Sequence, residues 1–276
     1  MRPYLDLLHF GPSVMTTVAA GCYILLLAHG TVDPDRLALL LAVQLAAQFA
    51  ISLANDYCDA PYDRLAQPAK PIPAGIVGRA AVGRAALLGI GLTLLLAVPL
   101  GPSVLLLTGW GLGAGLAYDA GLKRTPASPL PFMLGFGVLP LWAAAGVGAP
   151  LAGPPLAGAG LTAVLAVAVH LADTLPDVTG DHATGARGLA HLLGPRRMLP
   201  AAGLALSGGL LLALLLTVWF PPRWPVLAGV LALAGVLLAA GGLLYGRRGP
   251  AALPAVSGLI EVAAMITALG WLAAVG

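Results

Sequence analysis

The sequence predicts an all-α membrane protein, a bundle of nine transmembrane helices, and three observations carry that prediction. The chain of 276 residues is 59% hydrophobic and only 9% charged, more apolar than one soluble core could hide. Apolar runs of about 20 residues, the length at which a helix crosses a bilayer, recur from end to end. Counting those runs as nine spans sorts nearly all the basic residues onto one side.

The spans fall at 12–30, 36–54, 80–99, 102–120, 129–148, 155–172, 198–219, 224–245 and 252–274. Pro and Gly interrupt the fifth and sixth. The 37 glycines suit helices that pack closely in lipid. With the N-terminus inside, only Arg36 and Arg223 of the 14 basic residues stay outside. An error of one span would scramble that order. No basic run with interleaved aromatics exists, so nucleic acid is not an expected partner. Cys22 and Cys58 are too few for a disulfide framework. One integral-membrane domain is expected over 1–276, with polar cap loops at about 55–79, 118–128 and 173–197.

Of the 11 acidic residues, six crowd into two short clusters. The first reads Asn55-Asp56-Tyr57-Cys58-Asp59-Ala60-Pro61-Tyr62-Asp63. The second reads Asp173-Thr174-Leu175-Pro176-Asp177-Val178-Thr179-Gly180-Asp181. Offsets of three and seven, and of four and eight, put each set of carboxylates on one helical face. Both clusters face the same side of the predicted bundle. Like charges so close repel, and burying them near a membrane is costly unless something neutralises them. A divalent cation does so, and oxygen ligands with little His or Cys favour Mg²⁺ over zinc. Mg²⁺ commonly shares its sphere with phosphates, so the expected ligand is a diphosphate bridged by metal to both clusters. Pro61 and Pro176 are each expected to bend or break a helix.

Other polar residues are arranged around the clusters. Gln44, Gln48, Ser52 and Asp56 recur every four residues, and His170 sits one turn before Asp173. A polar stripe in a bilayer is expected to line a cavity. Arg64 and Lys70 follow the first cluster, Tyr118, Lys123 and Arg124 lie in the fourth-to-fifth loop, and Arg187 follows the second cluster. Cations there would favour a diphosphate that gains charge as it leaves. Glu261, inside the last span, is either a functional acid or a hydrogen-bonding partner of a neighbouring helix.

These residues resemble the UbiA superfamily of intramembrane prenyltransferases. Asn55-Asp56-x-x-Asp59-x-x-x-Asp63, followed by Lys70-Pro71-Ile72-Pro73-Ala74-Gly75, looks like its first signature. Asp173-x-x-x-Asp177-x-x-x-Asp181, with Gly185 and Leu189-Ala190-x-x-Leu193-Gly194, looks like the second. Tyr118-x-x-x-x-Lys123-Arg124-Thr125-Pro126 is similar to the short motif between the fourth and fifth helices. The resemblance covers nearly the whole chain. It implies nine helices around a central cavity, capped by Mg²⁺ held among Asn55, Asp56, Asp59, Asp63, Asp173, Asp177 and Asp181. Lys70, Tyr118 and Lys123 would contact the diphosphate, with Arg64, Arg124 and Arg187 beside them. Asp56, Asp59, Asp173, Asp177 and Lys123 would be catalytic, and Gln44, Gln48, Ser52 and His170 would line the cavity.

The implied activity is Mg²⁺-dependent transfer of an isoprenyl group from an isoprenyl diphosphate to a small acceptor within the membrane. That acceptor is expected to be aromatic, as in 4-hydroxybenzoate polyprenyltransferases. Two alternatives stand beside it: a terpene cyclase on the same scaffold, needing no acceptor, and a non-enzymatic lipid transporter or binder. The N-terminus and the cap are expected on the cytoplasmic face of a bacterial membrane.

Overall fold

The computed structural model describes residues 2–175 and 188–276, and among these the chain is helical without a strand. A short α1 (Arg2–Leu7) precedes α2 (Phe10–Leu27), α3 (Pro34–Ala66), α4 (Arg79–Ala97) and α5 (Pro102–Asp119). Then come α6 (Pro129–Gly137), α7 (Leu139–Val147), α8 (Pro154–Asp173), α9 (Leu189–Leu193), α10 (Pro195–Leu215), α11 (Trp224–Arg248) and α12 (Leu253–Val275). Many of the prolines work as helix starters. Pro34, Pro102, Pro129 and Pro154 each open a helix, where the missing N–H is no loss and the fixed φ is already helical.

Seven helical stretches are long and apolar enough to cross a membrane among the described residues, against the nine spans expected. The two counts differ for physical reasons. Trp224–Val275 is a single 52-residue apolar stretch that contains both α11 and α12, joined by a tight 3-10 turn at Gly249–Ala252. Helix α5 is not among the seven; four glycines and the terminal Tyr118-Asp119 dilute its apolar character. The interrupted fifth span is two helices, α6 and α7, that meet at Val138. Pro140, second in α7, cannot donate the backbone bond that would fuse them.

Small residues let these helices approach. A Cβ on Gly115 of α5 would lie 2.6 Å from the Ile51 side chain of α3, so only glycine allows that crossing. The core holds Ile24, Leu40, Leu161, Leu206 and Trp271, all fully buried. Several of its polar groups are paired: the Tyr23 hydroxyl bonds Thr162 at 2.9 Å, and Trp142 Nε1 donates to Thr108 Oγ1 at 2.9 Å, while Trp271 Nε1 has no partner among the described residues. The outer surface is the reverse of a soluble protein's. Leu88 and Leu204 are 75% exposed, and Leu87, Leu95 and Leu106 nearly as much, which suits a lipid solvent. The chain is thus an integral membrane protein.

The two cations sorted to the outer side are both spent on helix ends. Arg36 Nε donates to Gly146 O at 2.5 Å, near the C-terminus of α7, and its Nη2 reaches Leu100 O. The Arg223 guanidinium donates to Ala273 O near the end of α12. Carbonyls left open at a helix C-terminus attract such groups.

Candidate active site

Helix α3 continues unbroken to Ala66, so the acid motif is helical in spite of Pro61. Proline denies the Tyr57 carbonyl its usual donor four residues on. Arg79 supplies the substitute: its Nε donates to Tyr57 O at 2.9 Å, and its guanidinium lies 4.4 Å from the centre of the Tyr57 ring. Gly83 leaves room for that ring, since a Cβ there would stand 2.8 Å from it. The expected break at Pro61 is therefore absent because α4 repairs the lost bond.

With α3 intact, its last turns present Asn55, Asp56, Asp59 and Asp63 as a helical face, and loop cations bridge them in two layers. Lys70 Nζ sits 3.3 Å from Asp56 Oδ1 and 3.0 Å from Asp63 Oδ2. Lys123 Nζ sits 2.6 Å from Asp59 Oδ2 and 3.4 Å from Asp119 Oδ1, and Arg124 reaches Asp59 Oδ1 at 3.1 Å. Asn55 Nδ2 donates to Asp119 Oδ1 at 2.7 Å. Asp56, Asp63 and Asp119 are all buried. Burial opposes the Lys70 charge, but the hydrogen bond to Asp63 and the charges of Asp56 and Asp63 outweigh it and hold the amine above its ordinary pKa. The Arg124 guanidinium also stacks on the Tyr62 ring.

Beneath this array lies a cavity of about 430 Å³. Its mouth is polar, with His9, Asn55, Tyr118, Asp119 and Asp173 on the lining. Asp173, from the end of α8, therefore opens onto the chamber that Asn55 and Asp119 reach from α3 and α5. Deeper, the walls are mainly apolar and aromatic, with Leu112, Phe132, Phe136, Leu165 and Leu269 among them. A polar head at the mouth and a hydrocarbon tail below would match this distribution.

The residues singled out by sequence fall as follows. Gln44, Gln48 and Ser52 line the cavity. His170 does not, a correction to the expectation. It is buried, accepts or donates at 2.9 Å with Ser128 Oγ, and packs on the Phe132 and Tyr118 rings. The stripe argument failed there because Phe132 on α6 stands in the way. Arg64 is exposed on the last turn of α3. Asp177, Asp181, Arg187, Pro176 and Gly185 lie outside the described residues. Sequence reasoning missed Asp119 and His9, whose Nε2 approaches Asp56 Oδ1 at 3.6 Å. Asp119 left a signal: an acid at an apolar helix end, one turn before Lys123. Glu261 lines the cavity and accepts a 2.9 Å bond from Ser257, one turn earlier on the same helix, rather than from the neighbouring helix that one of its two readings expected.

The donors at the mouth are oxygens, one amide and the His9 imidazole, a mainly hard set without a thiol that fits Mg²⁺ rather than a thiophilic metal. One observation points outward: Asp119 Oδ2 is buried with no hydrogen-bond partner among the described residues. No three His, Cys, Asp or Glu side chains group closely enough to hold a metal among the described residues. The lysines instead divide the carboxylates between them.

The family model described as the UbiA prenyltransferase family matches residues 13–256. A digeranylgeranylglyceryl phosphate synthase of Methanoculleus marisnigri is 32% identical over 184 residues, covering 62% of this chain and 62% of its own. The enzyme of that name from Halobacterium salinarum is 33% identical over 157 residues, covering 56% and 55%. The matched region thus spans less than two thirds of these relatives. Among solved structures, one of digeranylgeranylglyceryl phosphate synthase in membranes superposes with a TM-score of 0.74 at 16% identity, covering 99% of this chain and 98% of that one. A UbiA homolog from Archaeoglobus fulgidus, bound to GPP and Mg²⁺, has a TM-score of 0.70 at 17% identity, covering 98% and 99%. At such identities the likeness is one of fold.

Proposed function

The chain belongs to the UbiA prenyltransferase family and is a membrane-embedded prenyltransferase; on that premise we propose that it moves an isoprenyl group from an isoprenyl diphosphate onto a hydroxyl of a glyceryl-phosphate-type acceptor. The observation that supports this reading is the pair of lysines bridging carboxylates at the mouth of an apolar chamber. The donor's hydrocarbon tail occupies the apolar walls, and its diphosphate sits under Lys70, Lys123 and Arg124. Mg²⁺, held by Asn55, Asp56, Asp59, Asp63 and Asp173 with Asp177 and Asp181, would neutralise the diphosphate. As the carbon–oxygen bond breaks, its electron pair leaves with the diphosphate, and fixed cations favour that charge. The apolar walls keep water from the allylic carbon until the acceptor oxygen bonds to it, and the hydroxyl proton passes to the departing diphosphate. Tyr118, whose ring lies 5.7 Å from Lys123 Nζ, helps fix the lysine.

The acceptor class is where the sequence reading changes. An aromatic acceptor has no support from the relatives, whose name specifies glyceryl phosphate. Their product carries two geranylgeranyl groups, so the last transfer in making it falls on a hydroxyl. The A. fulgidus homologs bind GPP or DMAPP with Mg²⁺, which suits an isoprenyl diphosphate donor here. The positive-inside argument puts the site on the cytoplasmic face.

The test is to reconstitute the protein in lipid nanodiscs with geranylgeranyl diphosphate, Mg²⁺, and either geranylgeranylglyceryl phosphate or 4-hydroxybenzoate. Diphosphate release is measured alongside the product masses. Mg²⁺-dependent prenylation of the glyceryl phosphate is expected. Prenylation of 4-hydroxybenzoate alone would restore the aromatic reading, and cyclic hydrocarbon without acceptor would point to cyclisation. No diphosphate release from any donor would end the proposal.

A further inference from the structure

The polar groups inside the chamber are not equivalent. The cavity-wall hydroxyls of Ser52 and Thr16 donate back into their own helices, to Gln48 O at 2.9 Å and Pro12 O at 3.0 Å. The Gln44 and Gln48 amides do not. Both line the chamber, Gln44 is only 7% exposed, and neither amide has a protein partner among the described residues. They stand one helical turn apart on α3, below Asn55 and within the span that crosses the membrane. Neither amide is among the buried unpartnered atoms, so both open onto the chamber, and pressing a hydrocarbon tail against them would be strongly unfavourable; this wall suits something that hydrogen-bonds. An isoprenyl tail cannot supply that, because it has neither donors nor acceptors.

We infer that Gln44 and Gln48 form an acceptor subsite on the α3 wall of the chamber, distinct from the aromatic wall that takes the isoprenyl chain. The occupant is the glyceryl unit of the acceptor, met through its one free hydroxyl and its ether oxygen. Each amide can both donate to and accept from a hydroxyl, which carboxylates and lysines cannot do. The subsite contains no fixed charge, so the acceptor's phosphate turns away from it, toward the Lys70, Lys123 and Arg124 charges at the mouth. It lies on the helix that also carries Asn55 and Asp56, with Gln48 about 10 Å below Asn55 along the axis, so the acceptor reaches it along the α3 wall. The inference rests on the acceptor class proposed above and deepens it.

The experiment measures binding apart from turnover. Gln44→Leu/Gln48→Leu protein is placed in nanodiscs, and leucine at these positions keeps the helix and suits the bilayer. Equilibrium binding of geranylgeranylglyceryl phosphate and of geranylgeranyl diphosphate is compared with that of the unaltered chain. The acceptor's Kd should rise at least 10-fold while the diphosphate's stays within about 2-fold. Gln44→Asn/Gln48→Asn, which keeps the amides but retracts them, should weaken the acceptor by less than the leucine pair. Unchanged acceptor affinity would overturn the inference. So would equal weakening of both ligands, because the stripe would then serve the donor. Failure of the unaltered chain to bind any hydroxyl-bearing acceptor would overturn it as well. Normal acceptor binding with no transfer would instead remove the proposed reaction and leave the subsite standing.

Discussion

Replacing Lys123 by methionine tests whether charge pairing holds the site together. The ammonium serves Asp59 at 2.6 Å and Asp119 at 3.4 Å, and these three side chains are 12%, 18% and 2% exposed. After the change Asp59 keeps Arg124 at 3.1 Å. Asp119 keeps only the neutral Asn55 amide at 2.7 Å, with its other oxygen buried and unpartnered among the described residues. Removing one partner of a buried ion pair costs about 3–5 kcal/mol. Asp119 borders an open chamber, so about 3 kcal/mol is the better figure, or a fall of about 6 °C in the melting midpoint. Lys123→Met in detergent micelles, followed by intrinsic fluorescence on heating, should show it. Adding Asp119→Asn removes the stranded charge, so the double variant should recover about 1–2 kcal/mol over Lys123→Met alone. Strictly additive losses, or a midpoint for Lys123→Met within about 1 °C of the parent, would refute the reasoning.

Further outcomes follow from the same contacts. Asp56→Asn should lower the rate of diphosphate release by at least about 100-fold with membrane insertion intact, measured by turnover and gel filtration of the same sample. Chelation with EDTA should stop diphosphate release, and added Mg²⁺ should restore it within about 2-fold of the start. Arg79→Ala reopens the Tyr57 carbonyl, costing about 1–3 kcal/mol and loosening amide exchange around residues 57–63; unchanged exchange there would count against the Pro61 repair. Lys70 has a folded pKa raised above its ordinary 10.5. Its contribution is therefore complete below pH 10.5 and is lost only as pH climbs through the higher folded value. The midpoint difference between the parent and Lys70→Met should then be flat from pH 7 to 9.

How much of this was legible in the sequence depends on the range of each signal. Helices were visible because about 20 apolar residues in a row have few other stable forms. Their number was less secure, since α5 is diluted by glycine and α11 runs into α12 through a short 3-10 turn, punctuated only at Arg247-Arg248-Gly249-Pro250. The acid clusters were visible as local departures from an apolar background. What stayed hidden was tertiary. Nothing near Pro61 announces that Arg79, 18 positions on, will supply its missing donor. Asp119 reads as a helix end until α3 and α5 cross at Gly115 and bring Asn55 against it. His170 misled because periodicity gives the face of α8 but not the neighbour that covers it. Ser128, 42 positions away, and Phe132 decided its fate.

The site and the fold draw on the same charges. Acids spaced i, i+3 and i+4 on α3 repel one another and weaken their own helix. Lys70 and Lys123 offset that repulsion, and each arrives on a different loop. The segment after α3 is pinned to Asp56 and Asp63, and the segment after α5 is pinned to Asp59 and Asp119. The cations suited to a departing diphosphate thus also hold the two loops over the chamber. A truncation of any one of these residues perturbs the lid and the chemistry together, so loss of turnover alone does not assign a role. Isosteric changes that keep shape and alter charge separate the two: asparagine for Asp119 preserves the bond from Asn55 but not the attraction for Lys123. Stability and turnover measured on the same variants then report on different halves of one network.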